Sequence, residues 1–157
     1  MKYISFTIEN YKGIEEPLTL NIDKNPLIPI IGVNECGKTT ILHAIFGFDF
    51  VNDSFNKNIR HLEDIKNRYE TTPKDPKVSA EISITKEEIY KILKDLADEN
   101  EPNYKVECDS YKRKLGAEYT GKVKITRNLI TKRYNIDPSS KNIDFEDKLS
   151  DRCNLFL

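Results

Sequence analysis

The chain has 157 residues, 38% of them apolar and 32% charged, which is enough aliphatic and aromatic side chain for one core-bearing domain and too much for wholesale disorder. Its 25 basic and 26 acidic residues cancel, so overall charge singles out no nucleic acid, membrane surface or acidic partner. No apolar run approaches the roughly 18 residues that span a bilayer, residues 1–5 lack the pattern of a signal peptide, and three cysteines without ligand spacing point to reduced thiols in the cytoplasm.

Residues 2–10 set Ile4, Phe6 and Ile8 against Tyr3, Ser5, Thr7 and Glu9, the period-2 pattern of a strand with one apolar face. Residues 10–17 hold Gly13 and two acids and form a turn; Leu18, Leu20 and Ile22 then alternate as a second strand, the hairpin partner of the first. After the Asn25-Pro26 break, Leu27-Ile28-Pro29-Ile30-Ile31 is short and almost wholly apolar. It reads as a strand buried on both faces, with Pro29 placing it at an edge or bend. From Lys38 to Phe46 the period changes, and Ile41, Leu42, Ala44 and Ile45 fall on one side of a helix. Residues 47–58 read as a loop, 59–69 as a second short helix, and 71–77, with Pro73 and Pro76, as a break.

Val78, Ala80, Ile82 and Ile84 alternate with polar residues as a strand. Thr85 and Glu88 have capping-box spacing, opening a helix whose apolar stripe is Ile89, Ile92, Leu93 and Leu96 and which stops before Asn100-Glu101-Pro102. Residues 104–108 and 122–129 read as strands. Residues 137–157 are polar, with one helical turn at 145–149. There is no internal repeat. The expected organisation is a single domain over 1–157: hairpin, loop and first helix in 1–46, a strand-and-helix lobe in 47–136, and a tail beyond.

Residues 32–39, Gly-Val-Asn-Glu-Cys-Gly-Lys-Thr, fit G-x-x-x-x-G-K-[ST] between a predicted strand and a predicted helix, the context that this phosphate-binding loop requires. Gly32 and Gly37 permit backbone conformations that a side chain forbids, so amides from Asn34 through Glu35, Cys36 and Thr40 can converge on an anion at the positive end of the helix. Lys38 reaches the β- and γ-phosphates as the catalytic cation, the Thr39 hydroxyl ligates Mg²⁺, and Thr40 adds a donor near the α-phosphate. The elements that read guanine, D-x-x-G and N-K-x-D, are missing, so ATP is the expected nucleotide. Glu35 sits badly beside a triphosphate and is expected to point outward. Cys36 gains thiolate character from the amide nest, though a small residue of no special role is the plainer reading.

The opening Ile4-Ser5-Phe6-Thr7-Ile8-Glu9-Asn10-Tyr11-Lys12-Gly13-Ile14, the loop, and the following Ile41-Leu42-His43-Ala44-Ile45 together resemble the start of ABC-type ATPase heads of the RecF, SMC and OLD (overcoming lysogenization defect) kind. Asn34-Glu35 with Thr39 is most similar to OLD-family and related AAA-family ATPases. The resemblance is specific over residues 2–46 and loose over 59–136. It implies an α/β P-loop NTPase fold, an ABC-ATPase-like N-terminal lobe in which an antiparallel hairpin precedes the P-loop strand. It also implies ATP and Mg²⁺ as ligands, Tyr11 and Lys12 near the adenine or ribose, and a full protein that couples head dimerisation to DNA handling. The departures are an absent Walker B run into Asp-Glu, an absent Leu-Ser-Gly-Gly signature and no glutamine anywhere. They imply an N-terminal portion that binds ATP with little hydrolysis and works with the remainder of a head or with a second head.

Residues 101–136 carry nine basic and four acidic residues, with Tyr104, Tyr111, Tyr119 and Tyr134 interleaved. This stretch can face DNA phosphates. Between Lys122 and Arg127, however, basic residues alternate with Val123 and Ile125, as on any half-exposed strand. His43 and His61 lack metal-ligand neighbours in sequence, and no metal site is expected from them. The alternative function is a stand-alone nucleotide-binding or interaction module without catalysis. A small-molecule kinase fits poorly, because a hairpin precedes the loop.

Overall fold

The computed structural model describes residues 1–24, 27–49, 65–67, 69, 71, 74–97, 105–106, 109–110, 112–113 and 121–137. Among them the elements run β1 (Lys2–Glu9), β2 (Leu18–Asn21), α1 (Lys38–Phe46), β3 (Lys77–Ser83), α2 (Lys86–Ala97), β4 (Lys122–Asn128) and β5 (Tyr134–Asp137). The strands form one sheet in the order β2-β1-β3-β4-β5, antiparallel at every pairing.

The period of two assigns each side chain a face. Phe6 lies opposite Leu20 and Ala80, Ala80 opposite Ile125, and Ile125 opposite Ile136, so one apolar row crosses all five strands. Ala44 of α1 and Ile89 and Ile92 of α2 join this face in the core. The result is two layers, helices over one face of an antiparallel sheet. On the opposite face the hydroxyls of Thr7 and Thr19 meet at 3.0 Å and those of Ser79 and Thr126 at 2.8 Å. These cross-strand pairs satisfy one another, which is how Ser79 tolerates burial.

The start of α2 forms as its spacing predicts. The Glu88 amide donates to Thr85 Oγ1 at 3.2 Å and the Thr85 amide to Glu88 Oε2 at 2.9 Å. The α-ammonium of Met1 binds the other oxygen of Glu88 and ties the chain's first residue to this helix. The two contacts hold the Glu88 carboxyl below its ordinary value, the ammonium hydrogen bond contributing most and the Thr85 amide next.

Four expectations fare differently. Residues 27–31 form no strand; Leu27 is 81% and Ile31 89% exposed. A strand buried on both faces needs ladder partners along its edges. Here the amides of Ile22 and Asp23 both turn back to the Ile4 carbonyl, the chain leaves the sheet, and no strand of the described residues pairs beyond β2. The helix expected over 59–69 is not seen in its described part: Lys66 makes an isolated antiparallel bridge to Tyr11 and the Lys12 amide donates to the Ile65 carbonyl at 2.9 Å. Lys105 and Val106, expected in a strand, are helical; Tyr104 and Cys108 are four apart as well as alternating with their neighbours, so the pattern fits either period. Strand β5 was not expected, although Tyr134 and Ile136 alternate with Asn135 and Asp137. The turn at 145–149, with the rest of 138–157, lies outside the described residues. No helix among the described residues is long and apolar enough to cross a membrane.

Candidate nucleotide-binding site

The loop from Gly32 leads from the exposed 27–31 segment into α1. Glu35 has φ of 67° and Gly37, the N-cap of α1, φ of 91°. Two left-handed residues around Cys36 curl the backbone into a concavity of amides. The Ile41 amide donates to the Gly37 carbonyl at 3.1 Å and closes the first turn. That turn contains no acidic residue and its N-cap makes no side-chain hydrogen bond. The turn therefore presents orphan amides at the positive end of the helix dipole, an arrangement that can accept an anion.

A depression of about 260 Å³ lies over this turn, lined by Asn34, Glu35, Gly37, Lys38, Thr39 and Thr40. Lys38 Nζ donates to the carbonyls of Gly32 and Val33 at 2.7 and 2.6 Å and stands 3.7 Å from Cys36 Sγ. The ammonium thus rests on the loop's own oxygens. Gly32 and Gly37 serve different ends: a Cβ on Gly32 would run into Cys36 Sγ, whereas one on Gly37 would meet nothing within 4 Å and would suffer only from the backbone angle.

The structure gathers Asn34, Glu35, Gly37, Lys38, Thr39 and Thr40 on one depression, with Gly32 and Cys36 beside it. It does not offer Tyr11, which is 0% exposed and packs in the core under the Lys12 ammonium, 5.3 Å from its ring. Lys12 stays half-buried at the hairpin turn, with φ of 52°. Among the described residues no three His, Cys, Asp or Glu side chains come together as a metal site.

The basic stretch is divided. Lys122, Lys124, Lys132, Arg133 and Arg113 are exposed, but Arg127 is 1% exposed and points into the core face. Its Nη1 donates to the Gly47 carbonyl at the end of α1. Tyr134, its cross-strand neighbour, donates from its hydroxyl to the Phe48 carbonyl at 2.6 Å. The sequence held a signal for this: Val123, Ile125 and Arg127 share one face of a strand, so the arginine belongs with the apolar set. Tyr104, Tyr111, Lys114 and Tyr119 lie outside the described residues.

In class, this is a P-loop nucleotide-binding module on a mixed α/β frame. The family model of the AAA ATPase domain matches residues 1–155, and the chain belongs to that family. Among solved structures it is similar to a chain from work on ATP-driven dimerization and DNA-stimulated activation of SMC ATPases. The TM-score is 0.53 at 12% identity, over 98% of this chain and 80% of that one. No curated protein matches it. The fold is that of an AAA/ABC-type P-loop ATPase resembling the SMC and RecF families, and the antiparallel sheet is consistent with their N-terminal lobe.

Proposed function

We propose that the chain is the ATP- and Mg²⁺-binding lobe of a RecF-, SMC- or OLD-like ATPase of the cytoplasm that acts on DNA, and that by itself it binds ATP with little turnover. The observation that carries this reading is the uncapped, acid-free first turn of α1 with Lys38 at its mouth. On binding, Lys38 leaves the Gly32 and Val33 carbonyls for the β- and γ-phosphates, while the amides of residues 37–40 take the remaining phosphate oxygens. Thr39 supplies one hydroxyl, which suits Mg²⁺, an ion that keeps several waters and takes its other ligands from phosphate. When bound, that ion would supply positive charge that offsets the charge of the phosphates.

Low turnover follows from the residues the sequence lacks, since no Walker B carboxylates stand ready to orient a water. A completing partner, either the remainder of the head or a second head, is supported by the apolar side chains exposed beside the loop: Leu27, Ile31 and Val33 on the segment and Leu42 and Phe46 four apart on α1. Contact with DNA rests on the exposed Lys122, Lys124, Lys132 and Arg133. Calorimetric titration with ATP and Mg²⁺, beside a radiolabelled turnover assay, tests the reading. Wild type binds and Lys38→Ala binds at least about tenfold more weakly, a loss on the scale of one charge-assisted hydrogen bond; equal affinities refute the site, and rapid turnover by the chain alone refutes the division of labour.

A further inference from the structure

Among the described residues, Arg127 is a cation that the sequence assigned to the surface and the fold buries. Burying a guanidinium is costly, and an apolar side chain would fill the same space. Its position gives the reason. Helix α1 ends at Phe46, and the amides of Gly47, Phe48 and Asp49 fold back on the carbonyls of His43, Ile45 and Phe46. The next two carbonyls outward are those of Gly47 and Phe48. Arg127 takes the first and Tyr134 the second. A positive charge at a helix C-terminus opposes the dipole favourably, most strongly where water is excluded.

The two residues are cross-strand neighbours, with the guanidinium 5.7 Å from the Tyr134 ring centroid. Phe48, 1% exposed, is packed edge-on between Phe6 at 5.6 Å and Tyr134 at 6.0 Å. The turn that joins the two strands is itself braced: Asn128 Oδ1 accepts from the amides of Ile130 and Thr131 at 2.9 and 3.0 Å. The far end of α1 is thus bolted to a rigid corner of the sheet.

At the near end Ile41 packs against the core, but the segment leading into the loop has no comparable hold among the described residues, where Leu27, Ile31 and Val33 are 79–89% exposed and make no strand. Helix α1 has nine residues, about 13 Å at 1.5 Å each, so a tilt of about 10° at its anchored end moves the first-turn amides by about 2 Å. That displacement exceeds what a hydrogen bond to phosphate tolerates. We propose that Arg127 and Tyr134 are positioning residues for the phosphate loop, setting through the C-terminus of α1 where Lys38 and the first-turn amides stand. The proposal rests on the nucleotide-binding reading of that loop for its functional consequence, though not for its structural one.

The test compares Arg127→Met, Arg127→Lys and Tyr134→Phe with wild type and Lys38→Ala. Two quantities are measured well below the melting temperature: calorimetric affinity for ATP with Mg²⁺, and amide hydrogen exchange of residues 41–44, the first amides bonded within α1. Arg127→Met keeps the volume and loses the charge; it should remain folded, bind ATP about tenfold more weakly and exchange those amides several-fold faster, with the β1 and β3 amides unchanged. Arg127→Lys should recover most of both losses, and Tyr134→Phe should show smaller changes of the same sign. Rescue by lysine distinguishes positioning from filling of space. Should Arg127→Met not fold, Tyr134→Phe and Arg127→Lys carry the test on the same two readouts. Wild-type affinity and exchange in every folded variant overturn the proposal. If wild type and Lys38→Ala both fail to bind ATP while Arg127→Met still speeds exchange at 41–44, the nucleotide reading fails and the positioning stands.

Discussion

Replacing both Leu27 and Ile31 by lysine separates two incompatible states of the 27–31 segment. If that segment is a buried strand, as its composition predicts, each lysine puts an uncompensated charge in a core. The pair would then cost several kcal/mol. At 2–4 °C per kcal/mol for a chain of about this size, the melting temperature would drop by more than about 10 °C. The structure leads to the opposite expectation. With 81% and 89% of these side chains already in water, the substitutions remove almost no burial, and the change stays within about 0.5 kcal/mol, or about 2 °C. Association should respond instead. Covering Leu27, Ile31 and Val33 is worth about 1.5–3 kcal/mol each, so the double variant should lose self-association or binding to a completing segment while its own fold persists. Differential scanning calorimetry and analytical ultracentrifugation read the two effects. A fall in melting temperature beyond 10 °C would refute the reasoning.

Gly37→Ala should weaken the loop by about 1–2 kcal/mol through the left-handed angle alone, because the added methyl meets nothing within 4 Å; thermal melting and ATP titration should both register it, and an unchanged protein contradicts the φ of 91°. For Glu88 the folded carboxyl titrates below its ordinary value of 4.5. Its contribution to stability is therefore complete above that value and lost as pH falls through the lower folded value. Urea midpoints measured across the acid range should converge for wild type and Glu88→Gln at the acid end and separate above about pH 5, and parallel curves would refute the contact. Lys122→Glu with Lys124→Glu should leave ATP affinity unchanged and weaken binding to DNA with a reduced salt dependence; unaltered DNA binding assigns that contact elsewhere.

Much of the frame was legible because local patterns and tertiary demand agree. The alternation in residues 6–9 and 78–84 produced β1 and β3 with their apolar faces inward, but a register shift between Tyr3 and Ser5 turns Tyr3 to the core beside Phe6, the face on which the pattern had set Ile4. Thr85 and Glu88 form the reciprocal bonds that their spacing requires, and Lys38 to Phe46 is a helix to the residue. Where one segment satisfied two periods, as at residues 104–108, the pattern could not choose. Strand β5 is only four residues long, below the length at which alternation is persuasive, and it exists because β4 offers an edge.

The proposed phosphate site was legible in the sequence. G-x-x-x-x-G-K-T carries its own backbone requirements, and those are local: two glycines, a lysine and a helix start within nine positions. The family followed from the same stretch. Tertiary structure alone decided matters that depend on a distant partner. An apolar run such as 27–31 declares that it can be buried, and only the sheet tells whether an edge is there to receive it. Arg127 looked like a surface cation because charge is read residue by residue, while its place was set by the carbonyl of Gly47, eighty positions earlier in the chain. Hydrophobicity and local spacing are properties of a sequence; the pairing of a buried charge with one carbonyl is a property of the folded chain, since only folding brings the two together out of water.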